Sequence, residues 1–264
     1  MIGAVNFTLR AKNSGRLSLI NGRFMHAAFF QILNDNSPAL GDFVHNRLNL
    51  KPFTVSFLDP LDNLESDEGR WIVRRGDKFF WRVTALNADI LQTVATLPVG
   101  CEIQAGAIAL TVEDVHAEGE LIPIQTFITQ AKNFPRVREI CFEFLSPVSF
   151  RIDTFDAPYP RPELIFSSLA DKWTQAAMPA AVDKKIIRDL AQAIRLTQWS
   201  GQAKKFYFAH DRGTLAFWGK FFYDVADLEA DERKVFLLLA KFAVFAGVGR
   251  LTGQGFGQTR VKFF

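Results

Sequence analysis

Apolar residues recur along this chain with two periods, and the switch from one to the other sketches its elements. Val5-Asn6-Phe7-Thr8-Leu9-Arg10 alternates as a half-buried strand does. Behind Asn21-Gly22, the residues Phe24, Met25, Ala28, Phe29, Ile32 and Leu33 return at helical spacing until the polar run Asn34 to Ser37 stops them. A second, short helix is predicted from Pro38 to about Asn46, and Leu50 to Phe57 returns as a strand. Trp71 to Val83 supplies more strand, Leu86 to Leu97 an amphipathic helix, and Ala107 to Glu113 a closing strand.

The second half repeats the order. Glu139 to Leu145 reads as a strand, and Pro162 to Leu196 as helix with a break at Pro179. Lys204 to Ala209 and Thr214 to Tyr223 read as a hairpin across Asp211-Arg212-Gly213, Asp231 to Phe245 as helix, and Gln258 to Phe264 as a last strand. Strand, helix, two strands, helix, strand is the split βαβ arrangement of a ferredoxin-like fold. The predicted class is therefore α+β, with two tandem ferredoxin-like (RRM-like) βαββαβ domains at residues 1–122 and 137–264. Their junction is placed between Glu118 and Arg136. Only the order of elements recurs, with no residue-level repeat.

Composition narrows the class further. With 264 residues and 48% hydrophobic content the chain can bury a large core. Its first residues show no basic head before an apolar block, and the longest apolar stretch, 235–248, contains Lys241 and is too short to cross a bilayer. A cytoplasmic protein without membrane association is expected. Cys101 and Cys141 share no Cys-x-x-Cys spacing and read as reduced, buried thiols. A net charge of +3 says little, but residues 1–120 carry −3 and residues 121–264 carry +6, so phosphate-binding surface is expected in the second half. Asp59, Asp62, Glu65, Asp67 and Glu68 fit no calcium-loop spacing and read as a solvated hairpin loop. No metal and no cofactor is expected.

The densest local signal is Gly247-Val248-Gly249-Arg250-Leu251-Thr252-Gly253-Gln254-Gly255-Phe256-Gly257, which follows the apolar run from Val235 to Phe245. Five glycines here exceed what capping one helix requires. Such a loop serves either as a tight helix-to-strand connection or as a nest of N–H groups for phosphate oxygens. A dinucleotide loop is excluded, because the third glycine is missing at its spacing and the loop follows a helix instead of a strand. A Walker loop is excluded because there is no Gly-Lys-Ser/Thr.

The spacing Gly247-Val248-Gly249, five residues, then Gly255-Phe256-Gly257 near the chain end resembles the glycine-rich loop of the CRISPR-associated RAMP superfamily, in particular its repeat-RNA-processing endoribonucleases. Phe144-Leu145-Ser146-Pro147-Val148-Ser149-Phe150-Arg151 resembles the segment that opens that family's second domain. The resemblance implies two tandem ferredoxin-like domains, in agreement with the element count. It also implies metal-independent cleavage within the CRISPR repeat of a precursor RNA. A 2′-hydroxyl attacks the adjacent phosphate in line, leaving a 2′,3′-cyclic phosphate and a 5′-hydroxyl.

Four histidines could serve that chemistry: His26, His45, His116 and His210. His45 resembles the family's histidine at the end of the second short helix, and Lys51 follows at the spacing of a lysine used with it in archaeal members. Phe30 stands where some of those members place an active-site tyrosine, and a phenylalanine cannot donate a proton. His26, one turn away, is the substitute candidate. The resemblance implies an acid or base role for His45 and charge stabilisation by Lys51, and the complementary role is assigned to His26 as the substitute. RNA binding is assigned to Gly247, Gly249, Arg250, Gly253, Gly255, Gly257, Arg260 and Lys262, with Lys184, Lys185, Arg188, Arg195, Lys204 and Lys205 holding a stem's backbone. Ala216 to Tyr223 lacks the RRM stacking motif, and its aromatics read as core. The implied partner is CRISPR repeat RNA; other Cas proteins of an effector complex and a homodimer stay open. Two alternatives of different class remain: a non-catalytic RAMP subunit that binds guide RNA, and an unrelated binding module.

Overall fold

The computed structural model describes residues 1–47, 51–132, 136–209 and 212–264. Two compact units make up the chain: Met1–Leu121 with Gly253–Gly255, and Ile122–Thr252 with Phe256–Phe264. Each holds one ferredoxin-like βαββαβ fold.

In the first unit the elements are β1 (Gly3–Ala11), α1 (Gly22–Asn36), β2 (Phe53–Val55), β3 (Lys78–Ala85), α2 (Ala88–Ala95) and β4 (Ile108–Ala117). The sheet runs β2-β3-β1-β4, all neighbours antiparallel, with Glu102–Ala105 as a further strand outside β4. Alternation in β1 sends Val5, Phe7 and Leu9 into one core with Met25, Phe29 and Leu33 of α1 and with Trp81 and Val83 of β3. Burying such aromatic and branched side chains stabilises the fold by about 1.5–3 kcal/mol each. Asn21 does precede the first helix, but its Oδ1 accepts from the N–H of Leu58 at 2.9 Å and does not cap the helix. Asn87 does cap α2, accepting from Ile90.

In the second unit the elements are β5 (Glu139–Val148), α3 (Pro162–Gln175), β6 (Arg195–Ala209), β7 (Arg212–Asp224), α4 (Ala230–Ala246) and β8 (Thr259–Phe263), with sheet order β6-β7-β5-β8. A capping box between Glu229 and Glu232 starts α4. Phe142, Phe144, Phe166, Phe217, Phe221, Tyr223 and Phe236 form the core of this sheet and its helices. Trp218 and Phe222, expected in the core with their neighbours, lie half-buried on the other face of β7.

The stretch 162–196 differs most from expectation. Helix stops at Gln175, resumes over Lys184–Leu190, and by Arg195 the chain is already an edge strand. A register shift between Leu196 and Gln198 breaks the alternation that would have revealed that strand. Between the units' sheets in sequence lies a further helix, Ile124–Lys132. Cys101 is half-buried, not buried, whereas Cys141 is buried, and both thiols are free. Of the acidic run, Asp67 pairs with Arg16 and Glu65 with Arg74. Among the described residues no helix is long and apolar enough to cross a membrane.

Candidate active site and nucleic-acid interface

The first unit gathers His26, Phe30, His45, Lys51 and Phe53 beside the His26–Phe30 face of α1. His26 and Phe30 are one helical turn apart, and their rings meet edge to face at 5.0 Å. The His26 ring also stacks on Phe53 at 5.8 Å, while Phe30 meets His45 edge to face at 5.2 Å. Both imidazoles therefore lie against the same phenylalanine. Phe30 supplies no proton, but it fixes where two groups that can carry one are held.

The Nδ1 of His26 lies 2.7 Å from the carbonyl oxygen of Gly253. A carbonyl only accepts, so Nδ1 carries the hydrogen and donates it, and a neutral ring keeps its lone pair on Nε2. Burial lowers the pKa of His26; the Gly253 hydrogen bond opposes this, and the charges of Lys51 and His45 lower it further. The result is an imidazole whose neutral form is favoured, with one defined basic nitrogen.

His45 stands on the one-turn segment Phe43–Arg47 that follows the short helix Pro38–Asp42. Its side chain is exposed, with Nδ1 2.9 Å from Asn46 Oδ1. Buried Val44 anchors the segment. Lys51 Nζ donates to the carbonyls of Val44 and His45, both at 2.7 Å, and burial lowers its pKa. Lys51 thus holds the backbone that carries His45 as well as placing positive charge near His26. Among the other histidines, exposed His116 pairs with Asp114 at 3.0 Å, and His210 lies outside the described residues.

The glycine-rich loop is built for close backbone approach. At Gly257, φ is +71° and a Cβ would sit 2.2 Å from the carbonyl oxygen of Val248; at Gly249, φ is +77° and a Cβ would sit 2.5 Å from that of Ser149. Gly253–Gly255 pack with the first unit: Ser56 and Gly255 form a parallel bridge, and a Cβ on Gly22 would meet the carbonyl oxygen of Gln254. Most of the loop's N–H groups are engaged within the chain. Gly247 donates to Ala243, Val248 to Gly257, Gly249 to Ser168 Oγ, Arg250 to Ser149, Phe256 to Leu251 and Gly257 to Pro147. A phosphate nest made of those six groups, one of the two readings of the glycines, is not what the loop offers. The tight helix-to-strand connection accounts for them, and among the described residues its hydrogen bond to candidate chemistry runs through the Gly253 carbonyl.

The basic side chains divide. Arg250 is tied to Asp156 at 2.7 Å. Burial works against the Asp156 charge, but hydrogen bonds from Thr214 and the Leu215 N–H, with Arg250 and Arg151, outweigh it and hold the carboxyl below its usual range. Lys184 pairs with Asp171, and Arg195 with Asp224 and Asp227. Arg260 and Lys262 are exposed on β8, opposite Glu143 and Cys141 of β5. Lys204 lies over the rings of Phe206 and Trp218, and Lys205 over Tyr207.

Three kinds of comparison bear on this arrangement. Residues 142–259 match the family model described as CRISPR-associated endoribonuclease Cas6. A CRISPR-associated endoribonuclease Cas6 of Mycobacterium tuberculosis strain H37Rv is 25% identical over 188 residues, covering 69% of this chain and 58% of that protein. The chain thus matches less than two thirds of that relative's length. A Cas6 product complex shares the fold with a TM-score of 0.76 at 25% identity, covering 99% of this chain and 100% of the other. The fold of Thermus thermophilus Cas6 is also shared, with a TM-score of 0.69 at 23% identity and 99% and 98% coverage. The resemblance carried by the glycine spacing is therefore to the Cas6 endoribonucleases, in sequence over residues 142–259 and in fold over nearly the whole chain.

Proposed function

We propose that this chain is a Cas6-type endoribonuclease that cuts precursor CRISPR RNA within its repeats by metal-independent attack of a 2′-hydroxyl. The observation that carries the reading is the pair His26 and His45, held against one phenylalanine with Lys51 beside them. In-line transesterification needs a base for the 2′-hydroxyl, a proton donor for the leaving 5′-oxygen, and positive charge near the phosphorane.

His26 suits the base. Its Nδ1–H is engaged by Gly253, its Nε2 keeps a lone pair, and its lowered pKa favours the neutral form. The exposed His45 then donates to the leaving oxygen. Lys51 holds the His45 backbone and contributes charge. Holding the scissile phosphate in line supplies much of the acceleration, since a flexible strand rarely samples that geometry. Arg260, Lys262 and the glycine-rich loop bind the RNA, the loop through its surface and not through the engaged N–H groups named above.

The test is cleavage of a repeat RNA by purified protein in EDTA. Products should end in a 2′,3′-cyclic phosphate and a 5′-hydroxyl, and a single 2′-deoxy substitution at the cut should stop the reaction while leaving binding intact. Cleavage that requires magnesium, or that survives the deoxy substitution, would overturn the mechanism. Binding without any cleavage would favour the non-catalytic RAMP subunit.

A further inference from the structure

At the end of helix α4 the Gly247 N–H still bonds to the Ala243 carbonyl, but the chain then turns away from the helix. Gly247 leaves it at φ 64° and ψ 167°, away from the left-handed helical angles that fold the chain back, and the next N–H, of Val248, bonds to Gly257 instead of returning to the helix. Lys172, on a different helix, reaches the two carbonyls beyond that bond. Its Nζ lies 3.0 Å from the carbonyl oxygen of Ala246, 2.9 Å from that of Gly247 and 3.3 Å from Thr252 Oγ1.

Lys172 is 3% exposed. When protonated its Nζ has three N–H donors, and three acceptors surround it at the negative end of a helix dipole. Among the described residues no carboxylate pairs with it, and burial lowers its pKa to about 7. A buried cation without a counter-ion costs stability, and a conventional glycine cap would satisfy two carbonyls at lower cost. The three acceptors also span the first half of the glycine-rich loop, from its entry at Ala246 to Thr252.

We propose that Lys172 is a positioning residue for RNA binding: its side-chain amino group pins residues 246–252 so that the glycine-rich loop is held in the conformation that receives the repeat RNA. This rests on the function proposed above and extends it to a side chain that touches neither RNA nor the reacting atoms.

Lys172→Met keeps the apolar stem and removes the amino group that reaches the three acceptors. In RNA-free protein, amide hydrogen exchange at Val248, Arg250 and Gly257 should accelerate about tenfold or more, while the amides of Phe142 and Phe144 in β5 keep their protection. The dissociation constant for a repeat RNA blocked by a 2′-deoxy group should rise about tenfold, and the cleavage rate at saturating RNA should stay within about threefold, so the loss falls on affinity. Should Lys172→Met fail to fold, Thr252→Val removes one acceptor and should move both readouts in the same direction, by about threefold. A folded variant with unchanged loop exchange and unchanged affinity, beside a wild type that binds and cuts, overturns the proposal alone. A wild type that binds no repeat RNA overturns the functional reading and this proposal with it.

Discussion

The two units share one topology and use it differently. In the first, the second strand of the sheet is three residues long, Phe53–Val55, and the chain length between α1 and that strand goes into the short segments that carry His45. In the second, the equivalent strand, Arg195–Ala209, is fifteen residues long and pairs with β7 in an extended hairpin. The first unit collects titratable side chains around Phe30. Backbone carbonyls, engaged N–H groups and one buried lysine dominate the second. A shared fold therefore predicts neither kind of site; each lies in what was added to the common frame.

Removing a proton carrier from the first unit is the strongest way to break this contrast. His26→Ala and His45→Ala should each lower the single-turnover cleavage rate by about 10²–10⁴-fold, with binding of a 2′-deoxy repeat RNA nearly unchanged. The pH profile separates them. Because burial, Lys51 and His45 all hold the His26 pKa below its ordinary 6.5, the acidic limb of the wild-type rate should lie below that value. An acidic limb above 6.5 would remove His26 from the role of base.

Disturbing the loop should cost less activity but more stability. Gly257→Ala forces a side chain onto a backbone at φ +71° with its Cβ 2.2 Å from the Val248 carbonyl oxygen, and should destabilise the fold by about 1–3 kcal/mol in thermal or urea unfolding. Gly253→Ala sharpens the comparison. Its Cβ would make only ordinary contacts, 3.5 Å from His26 Nδ1 and from Phe53, so its effect should appear in the cleavage rate and scarcely in the melting temperature. Equal losses of stability in the two variants would mean that the loop does not divide in this way.

Much of this division was legible in the sequence, and the parts that were not have specific causes. The twofold order of elements shows in the hydrophobic periodicity because each strand and helix buries one face. His45, Lys51 and His26 do come together in the structure. The helix Ile124–Lys132 went unread although Ile124, Phe127 and Ile128 recur at helical spacing. The glycines were conspicuous, but whether their N–H groups face a ligand or the chain depends on partners as distant as Pro147 and Ser149, which no local pattern encodes. Lys172 was missed because a lysine on a helix reads as solvent-facing. A signal existed: Ile165, Leu169, Lys172 and Trp173 fall on one stripe, and three of the four are fully buried hydrophobics.

That lysine gives the second unit a pH signature. Its folded-state pKa of about 7 lies below its ordinary 10.5, so between those values the unfolded chain binds a proton that the folded chain lacks. Stability should therefore rise with pH across that window and be lost as pH falls through the lower value, with a slope of up to about 1.4 kcal/mol per pH unit. Urea unfolding of wild type and Lys172→Met at pH 7 and pH 9 isolates it. The difference between them should move in favour of the wild type at the higher pH. A difference that does not change with pH would mean that Lys172 is not held in the buried state described.

The smallest effects are expected on the open surface. Arg260 and Lys262 are exposed on β8, where a solvated charge contributes little to folding, so Arg260→Ala and Lys262→Ala should leave the melting temperature almost unmoved. Their contribution should appear only against RNA. Each substitution should weaken binding a few-fold and reduce the slope of log affinity against log salt by about one, because one fewer counterion is displaced from the phosphates. Arg250→Ala should behave differently, because its guanidinium is committed to Asp156 at 2.7 Å. It should lower stability, leaving Asp156 with less of the positive charge that offsets its burial, before it changes the salt slope. If Arg250 gave the same salt response as Arg260 and no loss of stability, the Asp156 pair would open on RNA binding, and the loop's cation would count as part of the RNA-binding surface and not of the scaffold beneath it.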